Sequence, residues 1–131
     1  MNNLKEHINQ CTICAPFFKH KPRPVCTFHS KSKIVIIGQA PGTKVHLSGI
    51  PWDDKSGERL RDWMGVDDET FYNPDIFAII PMGFCYPGKG KTGDLPPRPE
   101  CAPLWHQKLF NQMHNIELIR KLIFWEVNNV L

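Results

Sequence analysis

The apolar residues of this chain fall into separated runs with different periods. Ile34–Ile37 and Ile76–Ile80 are unbroken apolar runs of strand length. Short continuous runs of this kind, rich in β-branched residues, read as strands buried on both faces, as in a parallel sheet. Between them, Leu60, Trp63 and Met64 recur at i, i+3 and i+4, predicting a helix over Ser56–Met64 that Gly65 stops. Asp67 or Asp68 is placed to cap another turn before Phe71. From Pro99 a second stripe, Ala102, Trp105, Leu109 and Met113, predicts a longer helix with the proline at its first turn. Residues 2–10 start a short helix. Strand, helix, strand, helix with buried strands predicts an α/β fold around a parallel sheet.

The segments between these elements read as loops. Residues 11–32 are rich in proline and cysteine, and Gly38–Asp54 carries little periodicity. Pro81–Pro99 holds four glycines and five prolines and is too long to be a mere connector. The last stretch, with Ile116, Leu118, Ile119 and then Leu122–Trp125, fits strand or helix. Only two strands are clear before it. The pattern therefore predicts a chain that stops before its sheet is complete, with an open strand edge and marginal stability.

A length of 131 residues supports one domain, here read as 1–131. No apolar run approaches the ~18 residues of a membrane span, and the first ten residues lack a signal-peptide core. A cytoplasmic protein with no membrane partner is the expectation. The net charge of +3 is uneven. Residues 1–33 hold six Lys/Arg against the single acid Glu6. Such a segment suits a phosphate backbone, and solvated loop lysines account for it equally well.

Three constellations carry possible chemistry. Gly38-Gln39-Ala40-Pro41-Gly42 follows the first strand directly. In open α/β sheets ligands bind at that carboxyl end, where glycines let the backbone come close. An ordinary βα turn is the plain alternative, and the pattern is not a dinucleotide fingerprint. The stretch Gly83–Asp94 resembles a phosphate-binding loop, but neither frame has Gly, four residues and Gly-Lys-Ser/Thr. Nucleotide hydrolysis is excluded on that ground, while Lys89 and Lys91 remain able to touch a phosphate backbone. Finally, Cys11 and Cys14 have chelate spacing, and Cys85 and Cys101 flank the long loop. Four thiolates suit an iron–sulfur cluster or zinc. Cys26 is left as a plain buried thiol.

Together these residues resemble the uracil-DNA glycosylase superfamily, and within it the iron–sulfur branch around family 4. That branch has Gly-Glu-Ala-Pro-Gly where this chain has Gly38–Gly42. Its Gly-x-Pro-Phe is matched by Gly49-Ile50-Pro51-Trp52, and its small-residue turn and leucine-bearing helix by Ser56-Gly57 and Leu60. Its four cysteines are similar to Cys11, Cys14, Cys85 and Cys101. The likeness runs to about residue 116. It implies a three-layer α/β sandwich on a central parallel sheet, incomplete at the carboxyl terminus. It also implies a [4Fe–4S] cluster on the four cysteines, for which the spacing alone leaves Zn²⁺ as the alternative, and uracil-containing DNA as partner to a protein that is monomeric when complete. The Gly38–Gly42 turn would lie beneath an extruded uracil, with Trp52 stacked on the base.

Three departures bear on catalysis. Gln39 stands where the branch has a carboxylate, leaving Asp53 or Asp54 as replacements, or as a helix N-terminal acid pair. Pro81 stands where an asparagine reads the uracil edge. The branch's later His-Pro-Ser-type motif has no counterpart here. The expectation is a base-excision glycosylase of reduced or no activity. Two alternatives stay open: an inactive nucleic-acid-binding module of the same fold, and a zinc-stapled structural domain.

Overall fold

The computed structural model describes residues 2–121. Three strands form a parallel sheet: β1 (Ile34–Ile37), β2 (Phe77–Ile79) and β5 (Leu118–Lys121), in the order β2-β1-β5. β1 pairs Ile34 with Phe77 on one side and with Leu118 on the other. The ambiguous stretch after residue 116 thus supplies a third strand, and β1 is central rather than an open edge. The outer side of β2 is met by an antiparallel bridge from Thr27 to Ile79. The apolar run Leu122–Trp125 lies outside the described residues.

Side-chain alternation splits the core into two clusters. Val35 and Ile37 of β1, with Ala78 and Ile80, pack against α1 (Asn2–Asn9) through Leu4 and Ile8, and against α5 (Cys101–Gln112) through Trp105 and Leu109. Ile36, Phe77 and Ile79 point the other way, onto Leu60 of α3 (Lys55–Met64) and Phe71 of α4 (Asp68–Phe71). Full burial of a Leu or Phe side chain contributes about 1.5–3 kcal/mol, so each face holds its helices firmly.

The predicted helices are present, but α5 begins at Cys101 behind Glu100, so Pro99 precedes the helix instead of occupying its first turn. Asp54 caps α3 by accepting from the Gly57 N–H at 2.8 Å. Gly65 ends it in the left-handed region, and Asp67 caps α4. Three elements inside expected loops are new: a 3₁₀ turn at Ala15–Phe17, the six-residue helix α2 (Thr43–Ser48) and a hairpin of β3 (Lys89–Gly90) with β4 (Gly93–Asp94). No helix among the described residues is long and apolar enough to cross a membrane.

Candidate functional site

At the carboxyl end of β1 the chain leaves the sheet through Gly38–Gly42 and enters α2. Backbone bonds pin this turn to the segment after β2: the Met82 N–H donates to the Gly38 carbonyl at 2.8 Å, and the Gly83 N–H to that of Gln39 at 2.9 Å. A pocket of about 130 Å³ opens here, lined by the whole turn, Gly38 to Gly42, together with Trp52, Asp54, Pro81 and Asp94. A cavity of roughly 150 Å³ takes up a benzene ring. The size therefore suits one six-membered heterocycle.

Trp52 forms one wall. Its backbone φ is +59°, the left-handed region that bulky side chains rarely occupy. Such a residue costs about 1–3 kcal/mol and persists only where its surroundings fix it. They do so here. Arg61, buried on α3, donates from Nη1 to the Trp52 carbonyl and to the Tyr72 hydroxyl, both at 3.1 Å. Tyr72 in turn donates to the Pro51 carbonyl at 2.7 Å, and Asp68 holds the Arg61 guanidinium at 2.9 Å. Burial first, and then nearby Asp53, pushes the Tyr72 hydroxyl pKa up, against the pull of Arg61, so Tyr72 remains a donor. The loop also lies against Gly57, where a Cβ would sit 1.7 Å from the Trp52 carbonyl oxygen. On the pocket side the indole presses on Gly38, 3.0 Å from where a Cβ would be. Both glycines are required by close approach.

The structure thus brings Gly38, Gln39, Ala40, Pro41, Gly42, Trp52 and Asp54 to one cavity. Asp54 is in the wall, but its Oδ1 is engaged by the Gly57 N–H and the Ser56 hydroxyl, both at 2.8 Å. Asp53 is exposed and does not line the pocket; it lies close enough to Tyr72 to act on its ionisation. Pro81 lines the pocket, offering no side-chain donor or acceptor. Arg61 and Tyr72 were not singled out in the sequence. An arginine at an inward helical position, next to Leu60, was the available signal.

The cysteines require a correction. Among the described residues no group of three or more His, Cys, Asp or Glu could hold a metal ion, which overturns the expected [4Fe–4S] cluster and its zinc alternative. Cys11, Cys14, Cys85 and Cys101 do line one cavity, of about 30 Å³. Each is a free thiol. Cys14 Sγ lies 3.7 Å from the Glu100 carboxylate as a donor, and Cys101 Sγ accepts from the Phe84 N–H at 3.3 Å. Burial pushes Cys85 up to about 12 and Cys101 to about 11, and raises Cys14 as well. The sulfurs take separate partners and do not converge on one point. Cys26, expected to be buried, is half-buried, and desolvation pushes its thiol up to about 12.

The basic segment contributes one structural residue. Arg23 donates to the carbonyls of His46, Leu47 and Ser48 at 3.0, 2.7 and 3.4 Å, closing the carboxyl end of α2. Lys19 and Lys21 are exposed.

A family model described as the uracil DNA glycosylase superfamily matches residues 26–124. The match spans the Gly38–Gly42 turn, Trp52, Asp54, Pro81 and Asp94, and begins after Cys11 and Cys14.

Proposed function

Because the chain belongs to the uracil DNA glycosylase superfamily, we propose that its pocket receives a base extruded from DNA and that it hydrolyses the N-glycosidic bond of uracil at a reduced rate. The observation that carries this reading is Trp52, held at φ +59° against Gly38 at the carboxyl end of β1. Strain of this kind gathers at ligand sites, and an indole locked in place is a stacking surface prepared in advance. The two core clusters on opposite faces of the sheet support a three-layer sandwich as its frame. The glycine turn presents backbone N–H groups where a carbonyl oxygen or a water can be bound. The reduced rate follows from Gln39, which cannot serve as a base, and from Pro81, which cannot read the uracil edge. Loss of one donor to a departing anion costs about 2.7–4 kcal/mol, or roughly 10²–10³ in rate.

Pro81 specifically favours a second reading, base binding without chemistry. Both are tested on DNA carrying uracil or a stable abasic analogue. Binding is expected in either case, and slow release of free uracil separates the first from the second. Stacking is worth about 1–3 kcal/mol per base, so Trp52→Ala should weaken binding about 5- to 150-fold while Trp52→Phe retains most of it. Unchanged affinity in Trp52→Ala would remove the indole from the site.

A further inference from the structure

Resting on that reading of the pocket, we infer that Asp94 supplies the carboxylate that Gln39 does not, standing beside the sugar of the bound nucleotide and stabilising it as the glycosidic bond breaks. Asp94 comes from the hairpin β3–β4, remote in sequence from the turn and from Trp52. It lines the pocket and the adjoining groove along the hairpin, and it is exposed, so it stands at the rim. Its Oδ2 lies 3.5 Å from where a Gly42 Cβ would be, directly across from the turn. A base stacked on Trp52 inside leaves its sugar at this rim.

The hairpin holds Asp94 there. Lys89 pairs with Asp94 and Gly90 with Gly93, and the Leu95 N–H donates to the Gly88 carbonyl at 2.8 Å. Leu95 packs across Gly90, leaving only 3.0 Å to a Cβ at that position. Gly88 and Gly93 take φ of +101° and +129°, conformations that favour glycine. The carboxylate itself makes no hydrogen bond or ion pair among the described residues. Asp54, the other acid in the wall, is engaged in capping α3.

The step is simple in its balance. The bond from C1′ to the base nitrogen breaks and its electron pair leaves with the base. The sugar carries the positive charge until a water oxygen bonds to C1′, and the water's proton ends on the departed base. Asp94 stays ionised throughout and lowers the energy of the cationic sugar by charge alone.

The test uses the full chain and two oligonucleotides, one with a neutral tetrahydrofuran abasic site and one with a cationic pyrrolidine in its place. The wild type should bind the cationic site about tenfold more tightly, as one carboxylate a few ångströms away at a wet rim predicts. Asp94→Asn should abolish that preference, leave the neutral site within about threefold and leave the melting temperature unchanged. Asp54→Asn, which keeps a capping side chain, should retain the preference. A preference that survives in Asp94→Asn, or is lost in Asp54→Asn instead, overturns the inference. So does a wild type that binds both sites equally, although the pocket reading then stands. If neither oligonucleotide binds, the pocket reading falls and the inference with it.

Discussion

Two cavities draw their walls from neighbouring residues of the same segments. Pro81 and Val25 face the Trp52 pocket, while Pro24, Gly83, Phe84 and Cys85 face the cysteine cavity. In the sequence the four cysteines are the louder signal. In the structure they close around about 30 Å³ and take single partners, such as Glu100 for Cys14 and the Phe84 N–H for Cys101. The pocket is built from weaker signals, a glycine turn, one tryptophan and one aspartate from a distant hairpin, and it encloses about 130 Å³. Residue type sets what a side chain can do. Its surroundings decide whether it is left charged, strained or open to a ligand.

The largest difference between the two should come from Gly57→Ala. The new Cβ meets the Trp52 carbonyl, so the Pro51–Trp52 loop must leave Arg61 and the Asp54 cap. Overpacking of this kind costs about 1–3 kcal/mol. Affinity for abasic DNA should fall at least about tenfold, as loss of the stacking surface requires. Reactivity of the cysteines toward an alkylating agent should stay as it was. Faster alkylation in the same variant would show that the two cavities are coupled.

An intermediate effect belongs to the thiols. Their pKa values are raised above the ordinary 9.0, to about 12 for Cys85 and about 11 for Cys101. Above pH 9.0 the unfolded chain releases these protons while the folded chain keeps them, so the unfolded state binds fewer protons. Stability is therefore fully present below that pH and declines as pH rises toward 11–12. Urea unfolding at about pH 7 and about pH 10 should show the decline, and Cys85→Ala should flatten it. An equal slope in the variant would mean that Cys85 is ionised in the folded protein.

The smallest effect separates the two roles open to Asp54. Asp54→Ala removes the cap of α3 and should cost about 1 kcal/mol, whereas Asp54→Asn caps nearly as well and should leave thermal unfolding unchanged. If Asp54→Asn also leaves uracil release unchanged, capping is its whole task. A loss of release at unchanged stability would return it to the chemistry.

Much of the fold was legible because it rests on local rules. The runs Ile34–Ile37 and Ile76–Ile80, the Leu60–Met64 stripe, Asp67 and Gly65 all do what their periods and capping chemistry dictate. The turn and Trp52 were legible as a motif. Helix α2 was not, because six residues between Gly42 and Gly49 carry too few apolar positions to show a period; Arg23, from another segment, closes its end. Strand β5 was ambiguous because Leu118–Lys121 acquires its identity only by pairing with β1.

By itself the sequence determined the α/β class, the buried strands and the glycine turn at the end of the first, since each depends on residues near one another in the chain. Only the tertiary structure decided what the cysteines and acids do. Thiol ionisation depends on burial and the partner at hand, and these are set by segments as far apart in the chain as Cys14 and Glu100. The same holds for Asp54, spent on α3, and for Asp94, left unpaired above Gly42 by the folding of a distant hairpin.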